Sequence, residues 1–589
     1  MLGKIVSIEG NTVTINFSID ITSQISLVNF HVVFEDGNNK IVGEIKQVDQ
    51  TTAKIAVVGE LINNTFLPGS SKKPSFKAGV RLINIEELGK VLGEQQVTDG
   101  SKVYFGLSTV YQNYRINVPV NEFFSNHFAI LGNTGSGKSF TVSRLIQNLF
   151  SSPKVPFNSN IFIFDAYGEY TNAFSRLKEI NPKVNYKVYT TDTEDVGGNV
   201  LKIPIWLLDV DDIAHILEVD NPKQLPIIEK ALNLVRILND NNPNANTYRN
   251  DLIAHALRDI LLSGKDSSKI RDQITAVLSN FSTAELNLNS EIKELGYNRT
   301  LKQCLYTDNT GKMQEVEKVI SFLNTFIIPE IDTMNNVISM QYTLTDLKNA
   351  LDLALISEGI LKSDSVYDYA NVLAVRLHTL VNSKTAAFFE YNEMVSREKF
   401  ISDLLLTDTG EKAQIVNFNI KYVSDRMAKA LTKIITHILF EFVVENLNRG
   451  AVPIHILIEE AHRYVQNDKD YEVLGYNIFD RITKEGRKYG ILLGLITQRP
   501  SELSETSISQ CSNFIILKTM HPKDLDFIRN MVPNMSQDIM ESLKILQAGS
   551  CIAFGNAFNI PISIKFEKAN PEPLSNNVDI IKLWYVNHF

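Results

Sequence analysis

Eight consecutive residues, Gly132-Asn133-Thr134-Gly135-Ser136-Gly137-Lys138-Ser139, have the types and spacing that hold a polyphosphate. They follow the apolar stretch 128–131 and precede a helical pattern over 140–150. A strand, a glycine-rich loop and a helix in that order turn successive backbone N–H groups onto an anion, and the helix N-terminus adds positive potential. Lys138 is placed to reach the β- and γ-phosphates and Ser139 to ligate Mg²⁺, while Phe140 completes the run of nucleotide-contacting positions. The expected chemistry is ATP hydrolysis with Mg²⁺ as cofactor. A plain glycine-rich turn would account for the glycines and leave the Lys138-Ser139 pair unexplained.

A second constellation lies at Ile454-His455-Ile456-Leu457-Ile458-Glu459-Glu460-Ala461-His462. An apolar strand ending in two carboxylates is the Walker B arrangement. Glu459 would sit beside the metal or its waters; being one methylene longer than Asp, it favours contact through water. Glu460 would polarise the attacking water. The blander reading is a strand end feeding a charged helix cap. Gln498 follows the apolar stretch 491–497 and could sense the γ-phosphate, or merely tie a loop backbone. The basic segment 481–489 could supply an arginine in trans, with Arg487 the first choice and Arg481 the second; a solvated helix end is the alternative. Asp165 and Glu169 follow the strand pattern 161–164, where they could order nucleotide or water, pair with an arginine, or simply build a loop. His127 and His455 read as structural, and His462 as a candidate for ordering the site. Trp206 and Trp584 stand alone, without a stacking platform, and 388–392 reads as helix packing.

The elements that must position these groups divide the chain into five. Residues 1–110 carry short β-rich runs separated by turn formers, predicting a β-barrel with long loops that reads as an adaptor without chemistry of its own. Residues 111–204 hold the first part of a RecA-like α/β core. Residues 205–410 read as a mainly helical insertion, with polar breaks at 239–246 and 289–296. Residues 411–570 resume the core, with a long helix over 425–447, strands at 454–458, 491–497 and 514–517, and a β pair at 550–554 and 562–566 expected to close the sheet. Residues 571–589 read as a tail packing on the core or a neighbour.

Composition narrows the class. With 58 Lys+Arg against 67 Asp+Glu, the net charge of −9 makes a basic outer coat unexpected but leaves room for a locally basic channel. The 44% hydrophobic content and 21% charged content are ordinary for a globular chain. Cys304, Cys511 and Cys551 form no CxxC pair, so zinc and disulfide frameworks are not indicated and a cytoplasmic location is expected. The N-terminal residues lack the apolar core of a signal peptide, and the sequence shows no long apolar run, so no membrane association is expected.

Taken together, the motifs resemble the HerA-type hexameric DNA translocases and helicases of the HerA/FtsK branch of P-loop ATPases. The resemblance rests on HFAILGNTGSGKS at 127–139, IFIFDAYGEY at 161–170, ILIEEAHRY at 456–464, RITKEGRKYGILLGLITQRP at 481–500, SISQCSNFIILK at 507–518 and AGSCIAFGNAFNIP at 548–561. It implies a homo-hexameric ring with double-stranded DNA in a central channel, and an N-terminal barrel, similar to that of rotary ATP synthase subunits, that helps assemble one face of the ring and docks partners. It also implies catalysis by Glu460, a trans arginine at Arg487 and a sensor at Gln498. The implied partner is a nuclease in DNA end resection, or a nuclease, SIR2-like NAD-consuming enzyme or other effector in antiphage defence. An ATPase scaffold that regulates such an effector with little translocation is the alternative. Two positions depart from the family pattern: Glu459 stands where Asp is common, and Ala166-Tyr167 where Pro-His is common.

Overall fold

Strands Phe128–Leu131, Ile161–Asp165, Ile491–Thr497 and Asn513–Leu517 are buried at every position, as parallel strands covered on both faces must be. In the computed structural model they lie within an eleven-stranded sheet. The model describes the chain outside residues 19–25, 71, 97–98, 153, 196, 238–244, 294–297, 310, 329–340, 363, 533–535, 576–578 and 585–589. Most of the polar break expected at 239–246, part of that at 289–296 and the end of the tail therefore lie outside the described residues.

The sheet runs Tyr186–Thr190, Ile415–Asn419, Ile161–Asp165, Ile454–Ile458, Ile491–Thr497, Phe128–Leu131, Asn513–Leu517, Ser550–Gly555, Ile562–Lys565, Lys102–Ser108, Arg115–Pro119. The first seven strands pair in parallel and the rest antiparallel. The phosphate-loop strand thus sits two places from the Glu459-Glu460 strand, with the Gln498 strand between them. All three carboxyl ends share one edge, where ligands of open α/β sheets gather. Gly494 is required inside this stack: a Cβ there would lie 2.5 Å from Leu457 Cδ2 and 2.6 Å from Phe128 Cζ.

Two sheet expectations need correction. The 550–554 and 562–566 pair does not close the sheet, because Lys102–Ser108 pairs with Ile562–Lys565 and Arg115–Pro119 pairs with Lys102–Ser108. For the same reason the stretch 102–108, grouped with the barrel in 1–110, belongs to the sheet. The opposite edge, Tyr186–Thr190, carries no fully alternating apolar pattern and is an additional strand.

The period of two along each strand sorts side chains into two cores. Ile130, Ile163, Leu457 and Ile515 face the helix Lys138–Phe150. Leu131, Phe164, Ile458 and Ile516 face the long helix Asp425–Glu445 and the inserted helices. The insertion enters after Tyr186–Thr190 and returns at Ile415–Asn419. Its root is tied by backbone and side-chain bonds: Ile203 N to Phe388 O at 2.7 Å, and Trp206 Nε1 to Val395 O at 3.1 Å. Trp206 is buried edge-on to Tyr391. Phe388 and Phe389 are buried in the same packing.

At the N-terminus, Gly3–Glu9, Thr12–Phe17, His31–Asp36, Asn39–Val48, Thr52–Ile62 and Gly79–Leu82 close into a six-stranded barrel, since Thr12–Phe17 pairs with both Gly3–Glu9 and Thr52–Ile62. Closure leaves those strands no free edge; the short Thr65–Pro68 adds outside it. Among the described residues, no helix is long and apolar enough to cross a membrane.

Candidate active site

Register brings the loop to its partners. Leu131 lies opposite Thr497, and Gly132 N–H donates to Thr497 O at 3.2 Å, so the phosphate loop starts level with Gln498. Gly137 has φ of 98°, a left-handed conformation that spares the loop a Cβ penalty. It caps the helix Lys138–Phe150 without a side-chain bond. The first-turn amides therefore keep their donors for an anion. The loop rests on Ala548-Gly549, where Gly549 N–H donates to Ser136 O at 2.9 Å.

Lys138 is buried, and its Nζ lies 3.4 Å from Asn133 O. Burial lowers its pKa, opposed by the negative charges of Glu460, Glu459 and Glu169. Thr134 Oγ1 donates to Gln498 Oε1, joining the loop directly to the end of the strand Ile491–Thr497. A cavity of about 860 Å³ opens above these groups. Its lining includes Thr134, Gly135, Gly137, Lys138, Ser139, Phe140, Glu169, Glu459, Glu460 and Gln498.

Glu460 adopts φ 48° and ψ 45°, a left-handed backbone at a non-glycine residue. Such a conformation costs about 1–2 kcal/mol and persists only where the surroundings impose it. It ends the strand Ile454–Ile458 abruptly and starts the short turn Ala461–Arg463. Both carboxylates are buried. Burial raises the pKa of Glu460, opposed chiefly by Lys138. It raises Glu459 well above the ordinary range, reinforced by Asp165 and Glu169. Glu459 Oε2, Glu460 Oε2 and Glu169 Oε2 are buried without hydrogen-bond partners. Three carboxylate oxygens without hydrogen-bond donors beside a phosphate loop are suited to a hydrated divalent cation and a polarised water.

The structure separates the paired candidates. Glu169 lines the cavity. Asp165 is completely buried below it, accepting from Glu169 N–H and Tyr170 N–H at 3.0 Å each and from Asn417 Nδ2 at 3.1 Å. Its oxygens are committed to shaping the 165–170 turn, which corrects its expected place among nucleotide contacts. Arg481 is also committed: its guanidinium lies 4.9 Å from the Phe440 ring and 5.4 Å from the Tyr476 ring. Arg487 is exposed and precedes Ile491–Thr497, whose other end carries Gln498. Seven strand residues at about 3.3 Å each span roughly 23 Å. Neither arginine lines the cavity of its own chain.

The histidines divide similarly. His127 Nδ1 accepts from Leu493 N–H at 3.0 Å. Burial holds its pKa down at about 4. His455 Nε2 donates to Phe124 O at 2.6 Å. His462 Nδ1 stands 2.9 Å from Thr497 Oγ1 and 3.3 Å from Glu460 Oε2.

One wall was not foreseen. Lys565, Phe566, Glu567, Lys568, Glu572, Leu574 and Ser575 also line the cavity. This segment crosses the helix Lys138–Phe150: Gln147 Nε2 donates to Pro571 O at 2.8 Å, Asn172 Nδ2 to Glu572 O at 2.7 Å, and Leu574 N–H to Glu169 O at 2.8 Å. The contacts span some 400 positions of chain and leave no local pattern; the polar side chains of Gln147 and Asn172 on otherwise packed helices are their faint signal.

The sequence profile of the helicase HerA central domain matches residues 85–321. A probable DNA double-strand break repair helicase HerA of Methanocaldococcus jannaschii is 22% identical over 98% of this chain and 98% of its own length. The DNA double-strand break repair helicase HerA of Pyrococcus furiosus is 22% identical over 95% of this chain and 90% of its own. Among solved structures, VirB4 of Thermoanaerobacter pseudethanolicus superposes with a TM-score of 0.42 at 14% identity, covering 80% of this chain and 98% of that one. The chain is a P-loop ATPase, similar over nearly its whole length to HerA helicases.

Proposed function

We propose that this P-loop ATPase is a HerA-type double-stranded DNA translocase, a homo-hexameric ring that hydrolyses ATP between subunits and drives duplex DNA through its central channel. One observation carries the reading. The cavity assembles a phosphate loop, a buried lysine, two carboxylates and a sensor glutamine, yet neither candidate arginine reaches it. The chain instead presents Arg487, exposed, at the far end of the sensor strand. A neighbour in a ring could bring that guanidinium to the γ-phosphate, where developing charge needs it.

In this reading the loop amides and Lys138 hold the phosphates of ATP. Ser139 and, through water, Glu459 would hold Mg²⁺, which supplies charge neutralisation on the β- and γ-phosphates. Glu460 accepts a proton from the attacking water, and Gln498 orients that water or reads the γ-phosphate. The segment 565–575 encloses the nucleoside side. Product release relaxes the interface, and channel-facing loops act on DNA phosphates with little base readout. The duplex is delivered to a partner nuclease or a defence effector, SIR2-like or otherwise.

The test is displacement of a triplex-forming strand from linear duplex DNA by the assembled protein. ATP-dependent displacement that vanishes with Glu460→Gln supports translocation. ATP hydrolysis without displacement, together with ATP-dependent activation of a copurifying effector, would instead favour the scaffold reading.

A further inference from the structure

Thr497, the last residue of the sensor strand, and His462 link that strand to the carboxylate of Glu460. Thr497 O accepts Gly132 N–H at 3.2 Å, and the next residue, Gln498, is bonded to Thr134 of the phosphate loop. The Thr497 hydroxyl oxygen accepts Arg499 N–H at 3.0 Å and lies 2.9 Å from His462 Nδ1. That same Nδ1 lies 3.3 Å from Glu460 Oε2. Thr497 is completely buried and His462 nearly so.

We propose that His462 and Thr497 are positioning residues that transmit the state of the sensor strand to the carboxylate of Glu460. The proposal rests on Glu460 being the residue that polarises water. A single ring nitrogen faces two oxygens, so its bonding is a choice. With the proton on Nε2, Nδ1 accepts from the Thr497 hydroxyl and the ring offers Glu460 Oε2 no donor. With the proton on Nδ1, the ring can donate to Glu460 and blunt its basicity. Burial keeps the ring neutral by lowering its pKa to about 4, so both tautomers are available. A phosphate entering the loop competes for the Thr134–Gln498 bond. Displacement of Gln498 acts on Thr497 one residue away, and Thr497 decides which oxygen Nδ1 serves. The left-handed backbone of Glu460 leaves its carboxylate dependent on such lateral contacts for its aim.

The experiment is steady-state ATP hydrolysis by the assembled protein carrying Thr497→Val, Thr497→Ser, His462→Ala and the Thr497→Val/His462→Ala pair, with nucleotide affinity measured by a fluorescent ATP analogue. Thr497→Val keeps shape and removes the hydroxyl; kcat should fall about tenfold while KM and analogue affinity stay within about twofold. Thr497→Ser should restore kcat. The double variant should be no slower than the slower single variant, because both interrupt one relay. The proposal is overturned if Thr497→Val keeps full kcat, if kcat and affinity fall together, if serine fails to rescue, or if the two effects multiply. Full hydrolysis by Glu460→Gln would sink the reading of Glu460 itself. An inactive Glu460→Gln beside a normal Thr497→Val would sink only the relay.

Discussion

Two inactive variants, Glu460→Gln and Arg487→Ala, should restore each other when mixed in one assembly. Arg487 and Gln498 lie at opposite ends of a seven-residue strand, roughly 23 Å at about 3.3 Å per residue. An arginine acting on the nucleotide must therefore come from a different copy. Arginines supplied this way are worth about 10³–10⁵ in rate, so each variant alone should fall near background. In rings assembled from equal amounts of the two, about one interface in four joins an intact Glu460 to an intact Arg487 from the next subunit. Coexpression with two affinity tags and sequential purification yields such rings. Their ATPase rate should approach about a quarter of wild type, far above either parent. A mixture no faster than its parents would refute the trans assignment of Arg487. A nearly normal rate for Arg487→Ala alone would do the same.

Other expectations concern single residues. Asp165→Ala strips the acceptor from two backbone amides and Asn417 and should destabilise the chain by roughly 3 kcal/mol in chemical denaturation, with nucleotide affinity of the folded protein little changed; lost affinity at unchanged stability would return Asp165 to the binding surface. A carboxyl whose pKa is raised on folding supports the fold at low pH and costs stability as pH rises through the raised value. Burial and its acidic neighbours place Glu459 in this class, so Glu459→Gln should raise the melting temperature of the nucleotide-free protein at mildly alkaline pH by about 1–3 °C and shrink the further gain from Mg²⁺ and nucleotide. A lower melting temperature would contradict the electrostatic account of that wall. Glu460 must be ionised to accept a proton, and burial raises it above its ordinary 4.5; kcat/KM should therefore decline on the acid side at a pH above that value, and activity that persists down to 4.5 would count against it.

What was legible in the sequence was what is local. The phosphate loop and the Glu459-Glu460 strand end are contiguous motifs with their flanking elements, and strands such as 491–497 announce themselves as unbroken apolar runs. The helical insertion was visible as a long stretch of helical periodicity between two core segments. What escaped depends on partners distant in the chain. The strands Lys102–Ser108 and Arg115–Pro119 have ordinary β patterns, and only pairing with Ile562–Lys565 assigns them to the ATPase sheet. The 565–575 wall is irregular, held by Gln147 and Asn172 rather than by any pattern of its own. Asp165 and Glu169 looked equivalent because both follow one strand; the turn directs Asp165 inward onto amides and Glu169 into the cavity. The Glu460–His462–Thr497 contacts join two motifs that sequence shows only separately.

The most direct measurement is ATP hydrolysis by the purified assembly with and without linear duplex DNA, for wild type and Glu460→Gln. A DNA-driven motor using Glu460 predicts strong stimulation by duplex in the wild type and none in the variant. Robust hydrolysis indifferent to DNA would contradict the translocase account, and equal activity of Glu460→Gln would contradict the site itself.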